Sequence, residues 1–212
     1  RLALSIDPSS IEAQQGLART AVLDKVLILL KKSDGLFEEG NYGQARNLLM
    51  RVKKLDPLNK AADDRYNQIS LLIKDRNFKQ VMGAGYQALE NKNFRMAIEE
   101  FQVALNIKPG NKAASSGLVQ AQSLSIQKTI ADDLVSAIFH EKKENWNKAL
   151  EAYERILSKS SSLNEAQLGQ IRTKRRLKMS NEIDKILSSP LRLSTPEIYN
   201  EAKKLLTNAQ KI

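Results

Sequence analysis

Apolar residues recur along this chain at helical spacing, in short runs that repeat. Ala45, Leu49 and Val52, then Ala97, Phe101 and Ala104, then Ala149, Tyr153 and Ile156 each mark one face of a helix, and each set follows the last by 52 residues. A fourth, weaker set is Tyr199, Ala202, Leu206 and Ala209. These runs predict short helices of about twelve residues over 44–55, 95–107 and 148–158. Ahead of each stands an asparagine and an aromatic: Asn41-Tyr42, Asn93-Phe94 and Asn145-Trp146. Asparagine tolerates left-handed backbone geometry, so these pairs are expected to form the tight turn between antiparallel helices, with Gly40 helping in the first. Pro57 and Pro109 stop the first two short helices, and Ser161 takes that place in the third.

More than thirty residues separate each stop from the next turn, at 58–92 and 110–144, and neither stretch has an internal proline or turn cluster once past Pro109-Gly110. Asn59 and Asn111 are expected N-caps, and Tyr66, Ile69, Ile73, Val81, Gly85, Tyr86 and Leu89 recur at helical intervals. Each stretch reads as one long helix of up to about 45 Å, or as two nearly collinear helices broken near Asp75-Arg76-Asn77. The small residues Ser33, Gly85 and Ala137 occupy matching sites where a partner helix approaches closely. In the last quarter, 163–187 continues as a helix that Ser188-Ser189-Pro190 ends early. Ser194-Thr195-Pro196-Glu197 then caps a shortened closing helix.

The repetition predicts a single all-α domain over 1–212, a solenoid with units at about 9–57, 58–109, 110–161 and a degenerate closing unit at 162–212. Leu2-Ala3-x-x-Ile6-Asp7-Pro8 reads as the tail of a further short helix, and the chain is expected to be a fragment of a longer protein. There is no cysteine, which excludes disulfides and thiolate chemistry and tilts the compartment towards a periplasmic or membrane-tethered one. No apolar run is long enough to span a membrane. The net charge is +10, and residues 162–212 hold ten Lys/Arg against five Asp/Glu, half of the excess.

The small Ser33, Gly85 and Ala137, the Asn-aromatic pairs, Ala45, Ala97 and Ala149, the bulky Leu49, Phe101 and Tyr153, and Pro57 and Pro109 together resemble the tetratricopeptide repeat family. The match covers most of the chain and is best from Gly85 to Pro109. It implies antiparallel helix pairs stacked into a right-handed superhelix with a ligand-holding concave face. That family repeats every 34 residues, so this chain carries 18 more per unit. At 3.6 residues per turn these are five whole turns, an extension that keeps the packing face in phase and is assigned to the first helix of each pair.

The resemblance places ligand contacts on the first helices, where Lys31, Asp34, Lys79, Met82, Tyr86 and Lys142 are the candidate partner-binding residues, beside Phe37, Leu89, Ile138 and Glu141. Leu30, Met82 and Leu134 stand where a carboxylate-gripping subclass has its lysine or neighbours, so that mode is rejected. Arg172, Lys174, Arg175, Arg176 and Lys178 form a candidate patch for phosphates or an acidic partner. It has no aromatic residue for base stacking. His140 is the only histidine and lacks a partner to orient it. Asp63-Asp64 and Asp132-Asp133 are adjacent, so they point apart on a helix. Gly83-Ala84-Gly85 follows no strand and is no phosphate loop. The expected function is a non-catalytic scaffold for a protein or peptide partner, without cofactor or metal. The alternative is nucleic-acid or anionic-lipid binding through the basic quarter.

Overall fold

A computed structural model describes residues 2–188 and 195–209, and every regular element among them is a helix. In chain order these are α1 (Leu2–Ile6), α2 (Ile11–Glu38), α3 (Tyr42–Leu55), α4 (Lys60–Glu90), α5 (Phe94–Ile107), α6 (Lys112–Lys142), α7 (Trp146–Lys159), α8 (Asn164–Leu187) and α9 (Pro196–Ala209). Long helices thus alternate with short ones of 14 residues. The segments expected to be long are unbroken, and α4 runs straight through Asp75-Arg76-Asn77. Ser189, Pro190 and Ser194, on which the stop and cap of the last quarter were placed, lie outside the described residues. Two compact units divide the chain, Arg1–Leu118 and Val119–Ile212.

The turns differ from expectation in one respect. The left-handed residue is the one before each asparagine: Gly40 (φ 76°), Lys92 (φ 55°) and Glu144 (φ 57°), again 52 apart. Each closes its long helix with the same pair of hydrogen bonds. Gly40 N–H donates to the Phe37 carbonyl and Asn41 N–H to that of Leu36, and Lys92 with Asn93 and Glu144 with Asn145 repeat this. The asparagine is then the N-cap of the short helix, and Asn93 Oδ1 accepts from Met96 N–H at 3.3 Å. At the far end Asn59 Oδ1 and Asn111 Oδ1 accept from Ala62 and Ala114 N–H, both at 3.0 Å, and start α4 and α6.

In the first unit α3 is wedged between two long helices. Ala45, Leu49 and Val52 bury against Val26 and Leu29 from the C-terminal half of α2 and against Ala62 and Ile69 from the N-terminal half of α4. The C-terminal half of α4, with buried Met82, Gly85 and Ala88, then packs on α5. One long helix therefore serves two short ones. In the second unit Ala152, Tyr153 and Ile156 of α7 join Ala137 of α6 and Ala166 of α8 in one core.

Bulk on the short helix is matched by its absence opposite. A Cβ on Gly85 would stand 2.8 Å from Phe101 Cε1, and one on Gly117 2.6 Å from the same atom, so the ring is held between two glycines. Tyr153 meets Gly169 in the same register, with 2.3 Å from a built Cβ to Cζ. Leu49, smaller than either, tolerates Ser33, whose hydroxyl donates to the Ala45 carbonyl at 3.1 Å.

Gly117→Ala is expected to destabilise the protein by about 1–3 kcal/mol, because the ring has no room to retreat. Gly83→Ala, at an open helical site, is expected to stabilise it by about 0.5–1 kcal/mol. Urea unfolding separates the two, and Phe101→Leu should recover most of the loss in the Gly117→Ala background. Equal effects of the two alanines would contradict the matched packing.

Candidate functional site

Surface positions on the long helices are candidates only where packing leaves them free. In the first unit Arg65 of α4 reaches back to α2. Its Nε and Nη2 donate to Asp34 Oδ1 at 3.2 and 3.0 Å, and its guanidinium lies 5.0 Å from the centre of the Phe37 ring. Asp34 and Phe37 therefore tie two helices together. Met82 is buried, because the half of α4 that carries it is the half that receives α5, and it is unavailable to a partner. Lys31 and Lys79 are exposed.

Tyr86 combines exposure with a fixed position. Its ring meets that of Phe101 edge-on, with centres 5.1 Å apart and planes at 74°, yet 44% of the residue remains exposed. Phe101 is itself gripped by Gly85 and Gly117. An aromatic residue with a polar tip is thus presented from a helix on a rigid support.

In the second unit α6 leaves Val135, Ile138 and Phe139 exposed and ends on exposed Lys142. Ile138 and Lys142 were legible as candidates, whereas Val135 and Phe139 were missed. The signal was in the register: the residues 52 earlier are Gly83 and Gln87, so packing does not require an apolar side chain there. His140 packs its ring against Phe139 at 5.4 Å, and its Nδ1 has no hydrogen-bond partner among the described residues.

A polar cluster joins α6, α7 and α8 at positions that are apolar or uncharged one repeat earlier. Glu141, Tyr153, Arg172 and Thr173 stand 52 residues after Leu89, Phe101, Gln120 and Ala121. Arg172 donates from Nε and Nη2 to the two oxygens of Glu141 at 3.1 and 2.8 Å, and from Nη2 to the Tyr153 hydroxyl at 3.4 Å. The buried Thr173 hydroxyl donates to Glu141 Oε1 at 2.9 Å. Loss of water pushes the Glu141 carboxyl up, but the Arg172 and Thr173 hydrogen bonds and the guanidinium charge together hold it below its ordinary value. Burial raises the Tyr153 hydroxyl, and the neighbouring Glu141 charge adds to that rise.

The basic run is accordingly less free than its sequence suggests. Arg172 belongs to this cluster, while exposed Lys174 and Lys178 lie 3.9 and 4.0 Å from Glu154 and Glu182. Arg175 and Arg176 make no ion pair among the described residues. No group of three His, Asp or Glu side chains among those residues is placed to hold a metal, and no described helix is long and apolar enough to cross a membrane.

Glu141→Gln is expected to cost about 1–3 kcal/mol at neutral pH, by leaving Arg172 and Thr173 with a weaker acceptor. A carboxyl depressed in the folded state contributes stability that is complete above its ordinary pKa of 4.5 and is lost as pH falls through the lower folded value. The stability difference between wild type and Glu141→Gln should therefore shrink on acidification below that value. Glu99→Gln, from an exposed pair with Arg95, should change little at any pH. Thermal melts from pH 7 downwards check this, and a difference independent of pH would contradict it.

Compared with known proteins, the chain matches no family model, no curated protein and no solved structure.

Proposed function

We propose that this chain is a non-catalytic scaffold, a helical-repeat module similar to tetratricopeptide domains, which holds a protein partner on the exposed face of its long helices. The observation that carries this reading is Tyr86. A half-exposed aromatic fixed edge-on against a locked Phe101 loses little side-chain freedom when a partner covers it. A partner segment that offers an apolar side chain to the ring and an acidic group to Lys79 or Lys31 suits the composition of this face. An amphipathic helix or an extended peptide meets that description.

The alternative of phosphate binding through the basic run draws less support, because Arg172 is engaged by Glu141 and, of the five candidate patch residues, Arg175 and Arg176 alone make no ion pair among the described residues. The two readings separate on salt. With the chain as bait in an extract of its native cell, a protein partner should survive a high-salt wash, and Tyr86→Ala should weaken its capture by at least about 2 kcal/mol, or roughly thirtyfold. Arg175→Glu combined with Arg176→Glu should leave that capture unchanged. Retention that disappears with salt and with the two arginines, but not with Tyr86→Ala, would overturn the scaffold reading.

A further inference from the structure

The repeat serves as its own control for what packing requires. On α6, Val135, Ile138 and Phe139 are 70%, 37% and 54% exposed. Val135 and Phe139 stand where α4 has Gly83 and Gln87 and α2 has Lys31 and Gly35, so two copies of the unit build their long helix without an apolar side chain at either place. The end of the helix changes with them. Lys142 and Lys143 replace Glu90 and Asn91 of the second copy and Glu38 and Glu39 of the first. The third copy thus carries an exposed apolar stripe and a pair of cations together, on a stretch of α6 that lies wholly in the second unit.

At 3.6 residues per turn, Asp132, Val135, Phe139 and Lys142 fall within an arc of about 80°, with Ile138 beside them. The short helix α7 is received on another side of α6, by Ile130, Leu134 and Ala137, and leaves this stripe open. The stripe runs from an acid to a pair of bases. Asp133 is taken up by Arg155 and Lys159, whereas the exposed Asp132 makes no ion pair among the described residues, and neither do the exposed Lys142 and Lys143. Reversed end for end, the charges of this stripe are their own complement.

We propose that the stripe is an isologous interface, on which α6 of a second copy packs antiparallel about a two-fold axis midway between Val135 and Phe139. Val135 of each copy then meets Phe139 of the other, Ile138 meets its own counterpart beside the axis, and Asp132 of each meets Lys142 and Lys143 of the other. An anionic bilayer would suit the apolar residues and the lysines but would set Asp132 against like charge, whereas a second copy answers all of them. Because both copies use the same surface, the contact saturates at two chains. One stripe of about three turns covers less than the roughly 1,200 Å² of a stable complex, so the dimer is weak and forms at high concentration. Tyr86 lies in the other unit and takes no part.

Sedimentation equilibrium of the full chain over a wide concentration range tests it. The wild type should pass from one chain to two and no further. Asp132→Lys, which sets cations against cations, and Lys142→Asp combined with Lys143→Asp, which sets acids against acids, should each lower the association constant by at least about tenfold. Their equimolar mixture should dimerise at least as well as the wild type, since both crossed contacts are then opposite in sign, and misfolded variants could not produce that recovery. Phe139→Ser should weaken the association, while Tyr86→Ala should leave it intact and so separates this interface from the scaffold reading. The chain has no cysteine, so Ile138→Cys introduces a lone thiol that should link two chains on oxidation, whereas Lys128→Cys, far from the axis, should not at the same concentration. A wild type that stays monomeric, charge-reversed variants that fail to restore one another, or a monomeric chain that Phe139→Ser releases from vesicles of phosphatidylcholine and phosphatidylserine would overturn it.

Discussion

The long helix α4 is shared between two short ones, and the packing of the first unit depends on that sharing. A helix of 14 residues is marginal by itself and gains its stability by burying an apolar face. Here α3 does so on two sides, against the C-terminal half of α2 and the N-terminal half of α4. At 1.5 Å per residue the 31 residues of α4 extend about 46 Å, enough for two such docking stretches end to end. A helix shortened by a number of residues that is not a whole number of turns would rotate one docking face away from its short helix. The length of the repeat is thereby tied to the phase of the helix.

Close approach imposes a second constraint, on summed volume. Leu49 with Ser33, Phe101 with Gly85 and Gly117, and Tyr153 with Ala137 and Gly169 are three solutions to one packing problem, each larger residue answered by smaller ones. The third adds a hydroxyl, and an isolated polar atom in such a position is costly. Glu141, Arg172 and Thr173 occur in place of Leu89, Gln120 and Ala121, so the hydroxyl enters as one member of a connected cluster. A polar network of this kind stabilises only when its members are present together, which explains why four positions in one register change at once.

Much of this was legible in the sequence, because the signals were periodic. The 52-residue offset gave the short helices to within two residues at their N-termini, and the lack of breakers in 58–92 correctly favoured one long helix. The turn was misread by one residue: asparagine is permissive of left-handed geometry, but Gly40, Lys92 and Glu144 adopt it, and the asparagine caps the next helix instead. Exposure was harder to read than position. Met82 and Tyr86 lie one turn apart with similar apolar character, and only the placement of α5 decides that the first is buried and the second half-exposed. The role of Arg172 was hidden for the same reason, since its partner lies 31 residues away on another helix.

Most ion pairs among the described residues tie one helix to another. Lys53 bonds Asp63 and covers the Tyr66 ring, Lys108 bonds Asp75 and covers the Phe78 ring, and Arg155 with Lys159 grips Asp133. In each case a cation on a short helix, or at its C-cap for Lys108, reaches a long helix beside the apolar seam. A lysine laid over an aromatic ring buries its methylene stem as well as placing its charge, so these contacts add apolar cover to an edge that would otherwise be wet. Four aromatic rings, all in the first unit, are roofed by a cation in this way. The guanidinium of Arg65 covers Phe37, and that of Arg76 lies 5.9 Å from the centre of the Tyr42 ring. Tyr86 has a ring beneath it and, among the described residues, no cation above it. That difference from Phe37, Tyr42, Tyr66 and Phe78 follows from packing within the unit, and it leaves Tyr86 supported from below and 44% exposed, the feature on which the proposed scaffold reading rests.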